Sequence, residues 1–78
     1  MELFIEYCTS WNYLPEASRV ESELKQSYPD LYIKLVKGSD GIFNVIYNGK
    51  LIFSKKNTAE QRFPRKGEIV ALFKQEIG

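Results

Sequence analysis

The stretch Tyr7-Cys8-Thr9-Ser10-Trp11-Asn12-Tyr13-Leu14-Pro15 decides how this chain is read. It holds the only cysteine, and it joins an alternating apolar segment to an amphipathic one. On its N-terminal side Leu3, Ile5 and Tyr7 alternate with Glu2, Phe4 and Glu6, the two-residue period of a strand with one buried face. On its C-terminal side Ala17, Val20, Leu24 and Tyr28 recur at helical spacing, while Arg19, Glu21, Glu23 and Lys25 face away. Ser10 or Asn12 is expected to cap this helix, Pro15 fits only its first turn, Glu16 suits its positive end, and Pro29 stops it. A strand-to-helix turn leaves backbone N–H groups unpaired at the helix start, and their partial positive charge favours a thiolate.

Beyond Pro29, Leu31, Ile33 and Leu35 alternate with Tyr32, Lys34 and Val36, a second strand that runs parallel to the first after a helical crossover. Gly38-Ser39-Asp40-Gly41 is a turn cluster. Ile42 to Tyr47 reads as a third strand, Asn48-Gly49 as a tight hairpin turn, and Lys50 to Ser54 as the returning fourth strand. Lys55 to Pro64 is a polar, basic connection to a last helix in which Ile69, Leu72, Phe73 and Ile77 share a face. Strict alternation gives one apolar sheet face with Leu3, Ile5, Tyr7, Leu31, Ile33, Leu35, Phe43, Val45, Tyr47, Leu51 and Phe53. The opposite face then carries Phe4, Ile42, Ile46 and Ile52 among polar residues, including Lys50, and has no third helix to cover it. It reads either as an ordinary exposed face or as a surface for a partner or a second copy.

Composition narrows the function. Seventy-eight residues make one domain, spanning 1–78, that buries only roughly 60 to 65% of its unfolded surface. Eleven Lys and Arg against ten Asp and Glu leave no net field, so a nucleic-acid partner is not expected and any basic site is local. A single cysteine excludes an internal disulfide, and the absence of histidine removes imidazole zinc sites and His-based catalytic dyads. No metal site and no bound cofactor are expected. With no signal-like segment and no long apolar span, the expectation is a cytoplasmic protein with a reduced thiol and no membrane partner.

Tyr7, Cys8, Tyr13 and Pro15 match the Tyr-Cys-x-x-(Cys or selenocysteine)-x-Tyr-x-Pro signature that follows the first strand in selenoprotein W-like proteins. Gly41-Ile42-Phe43-Asn44-Val45 is similar to that group's Gly-x-Phe-Glu-Val segment, Gly49-Lys50-Leu51-Ile52-Phe53-Ser54-Lys55-Lys56 to its Gly-Lys-Leu-x-x-Ser-Lys-Lys segment, and Phe63-Pro64 to the pair before its last helix. The chain thus resembles the SelT/SelW/SelH or Rdx family along nearly its whole length. That resemblance implies an α/β thioredoxin-like βαβββα fold: a four-stranded mixed sheet of order 2-1-3-4 with two helices. It also implies thiol redox chemistry tied to glutathione and to protein partners. Trp11 stands where the family carries its second cysteine or selenocysteine, so dithiol activity is not expected.

Cys8 is therefore the candidate catalytic residue of a monothiol oxidoreductase, with an external thiol such as glutathione as co-substrate. Its bland alternative is a small apolar residue at a strand end. Thr9, Ser10 and Trp11 are candidate binding residues on the same turn. Gly41 and Ile42 join them because they hold the place where thioredoxins keep a cis-proline beside the active site. Lys55, Lys56, Arg62, Arg65 and Lys66 read either as a solvated loop or as contacts for phosphate, glutathione carboxylates or an acidic protein. The alternative function is a non-catalytic interaction module, binding a protein through the Trp11 turn or the open sheet face. A Cys8 exposed on its turn would also allow a homodimer linked by one disulfide.

Overall fold

The structure is a computed structural model and describes residues 2–78. Its elements run β1 (Glu2–Cys8), α1 (Leu14–Ser27), β2 (Tyr32–Gly38), β3 (Phe43–Tyr47), β4 (Lys50–Ser54), a short 3-10 turn (Lys55–Asn57) and α2 (Glu68–Ile77). The sheet order is β2-β1-β3-β4, with β1 and β2 parallel and the other pairs antiparallel, as the family resemblance implies. Parallel pairing of β1 with β2 follows from α1, which carries the chain back to the starting edge.

Both helices lie on one sheet face, over the side chains that strand alternation turns inward. Leu3, Ile5, Tyr7, Ile33, Phe43, Val45 and Phe53 from the sheet bury against Ala17, Val20 and Leu24 of α1 and Ile69 and Phe73 of α2. Phe73 is the hub on the α2 side, with the rings of Tyr28 at 4.9 Å and Tyr47 at 4.8 Å, both edge-on. Val70 and Leu72 pack against this core, whereas Ile77 is exposed in the last turn of α2.

The fourth strand departs from strict alternation. Val45 pairs with Phe53, but the next residue, Ile46, pairs with Leu51, so Ile52 is an extra residue in a β-bulge. Side chains before the bulge exchange faces. Leu51 is 46% exposed on the open face, Ile52 packs against the core, and Lys50 reaches Glu76 of α2 at 3.0 Å. The faces expected for all three residues are thus reversed, because the period of two holds only while each residue has one partner.

Two further expectations fail at the helices. No side chain caps α1: the cap position is Tyr13, and neither Ser10 nor Asn12 serves. Arg19 and Glu23, expected to point to solvent, instead bridge to the segment that leads into α2. Arg19 donates to the Pro64 carbonyl and pairs with Glu16 at 3.0 Å and Glu23 at 2.8 Å, while Glu23 accepts the Gly67 N–H at 3.2 Å. These bonds hold the Phe63-Pro64 segment against α1 and so place one wall of the site described next.

Candidate functional site

Cys8 ends β1, paired with Gly38 of β2 on one side, and its N–H donates to the Ile42 carbonyl at 3.0 Å on the other. Because Leu3, Ile5 and Tyr7 face the helices, alternation turns Cys8 to the opposite face with Phe4 and Glu6. It is nevertheless completely buried, outside the cluster that forms the main core. The cover comes from the segment between β2 and β3, which crosses the end of β1. A Cβ on Gly38 would lie 2.5 Å from Cδ1 of Ile42, so the Ile42 side chain reaches back to β2 over the position that Cys8 occupies between the two strands. Gly38 permits that approach because it has no side chain.

Trp11 clasps the same segment. Gly41 is buried at φ +72°, and a Cβ there would come within 2.8 Å of Trp11 Cε3, so the indole rests on bare backbone. The rest of the ring is open, and Trp11 is 61% exposed. Both readings of Trp11 hold in part: one side packs and the other faces solvent.

The turn is closed by its own backbone. Thr9 donates to the Gly38 carbonyl at 3.4 Å, Asn12 to Thr9 at 3.3 Å and Tyr13 to Cys8 at 3.1 Å. Asn12 takes φ 59°, a left-handed conformation that asparagine tolerates. Helix α1 begins only at Leu14, and the Glu16 and Ala17 N–H groups both donate to the Tyr13 carbonyl at 3.1 Å. Of the amides at the helix start, those of Tyr13 and Glu16 are thus taken by the carbonyls of Cys8 and Tyr13. Five of the six candidate residues, Cys8, Thr9, Trp11, Gly41 and Ile42, are thus brought together, while Ser10 stands exposed at the tip.

Beside the turn lies a row of rings that periodicity does not reveal. Trp11 meets Tyr13 at 6.1 Å, Tyr13 meets Phe63 at 4.6 Å, and Phe63 meets the buried Phe43 at 5.5 Å, all edge-on. Lys55 places its Nζ 5.5 Å from the centroids of both Tyr13 and Phe63. Of the basic residues in the connection, Arg62 is instead locked to Glu68, with Nη1–Oε1 at 2.8 Å and Nη2–Oε2 at 3.0 Å. Trp11, Tyr13 and Phe63 each stand out in the sequence, but nothing there joins them, because the turn after β1 and the connection before α2 are far apart in the chain. Among the described residues no group of acidic or sulfur ligands could hold a metal, and no helix is long and apolar enough to cross a membrane.

A βαβββα chain with a mixed sheet of order 2-1-3-4, two helices and a thiol at the end of the first strand has a thioredoxin-like fold. The Rdx family model matches residues 2–75, and the chain belongs to that family. Among curated proteins it is similar to Migration and invasion enhancer 1 of Bos taurus, 27% identical over 70 residues that cover 90% of this chain and 59% of that protein. The Mus musculus counterpart is 31% identical over 55 residues, 70% of this chain and 48% of its own length. The chain thus spans about half to three fifths of the curated relatives it matches. Among solved structures, a Bordetella parapertussis protein is 26% identical with a TM-score of 0.86, covering 96% of this chain and 95% of its own. A selenoprotein W-related protein from Vibrio cholerae, 23% identical with a TM-score of 0.89 over 99% and 96% of the two chains, shares the fold.

Proposed function

We infer that this chain is a thiol redox protein working through Cys8 alone, with a small external thiol such as glutathione completing the cycle. Family membership supports thiol redox chemistry in general terms. The observation that carries the single-cysteine form is the pairing of Cys8, at the motif position, with Trp11 where a second thiol would stand. In the cycle, the Cys8 thiolate attacks the glutathione sulfur of a mixed disulfide, forming Cys8–S–S–glutathione and releasing the partner's thiolate. A second glutathione thiolate then attacks that glutathione sulfur, forming oxidised glutathione and returning the Cys8 thiolate. This requires a reducing compartment, in keeping with a cytoplasmic setting.

Burial of Cys8 adds a condition: the Trp11 turn and the Gly38–Ile42 segment must part before the sulfur is reached. What holds them is local to this end of the sheet: Trp11 on Gly41, Ile42 on Gly38, and the hydrogen bonds from the Cys8 N–H to the Ile42 carbonyl and from the Thr9 N–H to the Gly38 carbonyl, so the reading requires an opening that breaks these and leaves the main core intact. The test is the rate of Cys8 alkylation and of mixed-disulfide formation with oxidised glutathione across a urea series below the unfolding transition. Local opening gives a rate nearly independent of urea. Labelling that tracks global unfolding, with the same urea dependence, would make Cys8 inert and overturn the redox reading.

The exposed indole favours a second reading, a non-catalytic interaction module. It ranks the variants in the opposite order: partner binding survives Cys8→Ser and weakens with Trp11→Ala, whereas the redox cycle is abolished by the first.

A further inference from the structure

The row Trp11–Tyr13–Phe63 ends in a lysine that has rings but no counter-charge. Lys55 Nζ sits 5.5 Å from two ring centroids, and no carboxylate lies within ion-pair distance of it among the described residues. Its basic neighbours in space and sequence are differently placed. Arg19 and Arg62 each hold a glutamate, Lys50 holds Glu76, and Lys56 is simply exposed. Aromatic faces attract an ammonium ion but offer no lone pair to its N–H groups, so the donors turned away from the rings remain for an outside acceptor. The rings also fix where the charge stands, which lowers the entropy lost when an anion binds.

The apolar half of the site is continuous with this cation. Tyr13 lies 6.1 Å from Trp11, whose outer face is open, and Leu14 beyond it is 44% exposed. An anion on Lys55 therefore has planar apolar surface beside it, within the length of two or three peptide residues.

We propose that Lys55 together with Trp11 and Tyr13 forms a docking site for a partner segment that carries a carboxylate side chain next to an aromatic or aliphatic one. The carboxylate takes the free side of Lys55, and the apolar side chain lies on the Trp11–Tyr13 rings. This goes beyond either reading of Cys8 and holds whether or not the sulfur reacts.

The experiment uses the Cys8→Ser chain, so that no disulfide chemistry contributes, and reads Trp11 fluorescence and amide shifts during titration with blocked tripeptides. The probes are acetyl-Phe-Glu-Phe-amide, its Gln and Lys analogues, and acetyl-Ser-Glu-Ser-amide. The Glu peptide should bind about fivefold more tightly than the Gln peptide at low salt, as one ordered surface ion pair provides, with shifts centred on Trp11, Tyr13 and Lys55. High salt, Lys55→Met and Lys55→Gln should each erase that preference, Lys55→Arg should retain it, and the Ser-Glu-Ser peptide should bind more weakly than Phe-Glu-Phe. Equal affinity for the Glu and Gln peptides would overturn the proposal. So would a Glu preference that survives in folded Lys55→Met, or shifts centred away from these residues. Amide spectra of each variant separate loss of the site from loss of the fold, and Lys55→Arg and Lys55→Gln stand in if Lys55→Met fails to fold.

Discussion

At the scale of single residues, the site depends on two glycines that serve by what they lack. Gly38 leaves room for Ile42 to close over Cys8, and Gly41 gives Trp11 a bare backbone to rest on. Gly41 carries a double demand, because its φ of +72° strains any L side chain and a Cβ would also meet the indole. Gly41→Ala is therefore expected to cost about 2–3 kcal/mol in urea unfolding and to speed Cys8 alkylation by loosening the clasp. In a Trp11→Ala background the same change should cost only the backbone part, about 1 kcal/mol. Equal costs in the two backgrounds would mean that the indole contact contributes nothing.

At the scale of elements, the bulge in β4 decides which side chain enters the core. Strict alternation assigns Leu51 to the interior, whereas the pairing of Ile46 with Leu51 turns Leu51 out and Ile52 in. Ile52→Ala should destabilise by about 1–2 kcal/mol and Leu51→Ala by less than about 0.5 kcal/mol, in paired denaturant unfolding curves. The reverse ranking would restore the unbulged register. The same element marks what sequence can reveal. Alternation in β1, β2 and β3, the α1 stripe and the Asn48-Gly49 turn each depend on near neighbours, and all are legible. Ile52 is not, because a bulge is a choice between two registers made by packing against α2. At the site, the position of Cys8 was legible from Tyr7-Cys8 at a strand end, and the resemblance brought Gly41 and Ile42 beside it. That Ile42 is held against Cys8 through its carbonyl, or that Lys55 stands over Tyr13, depends on contacts between residues more than thirty positions apart in the first case and more than forty in the second.

At the scale of the whole molecule, α2 must be fixed to the long connection that leads into it from the sheet, and Glu68 ties the two together. Its carboxylate accepts from Nη1 and Nη2 of Arg62 and from the Arg65 N–H at 2.8 Å, while its own N–H returns to the Arg65 carbonyl at 3.0 Å, closing the start of α2 reciprocally. Hydrogen bonding from Arg62 is the main reason its pKa is lowered to about 2, against the opposing effect of burial and with help from the Arg65 N–H and the nearby positive charges. The unfolded chain takes up this proton near the ordinary glutamate value of about 4.3, so between there and about pH 2 the unfolded state binds more protons than the native one. The contribution of Glu68 is therefore fully present above that window and is lost as pH falls through it. Since the pair is partly solvated, screening reduces it to on the order of 1 kcal/mol. Glu68→Gln should accordingly unfold at lower urea than the unaltered chain at pH 7, and the gap between the two midpoints should close as pH falls from about 4.5 toward about 2. Other carboxylates titrate in both proteins and cancel in the difference. A gap that stays constant across that range would mean that Glu68 acts by shape and neutral hydrogen bonding, with its charge contributing nothing to the fastening of α2.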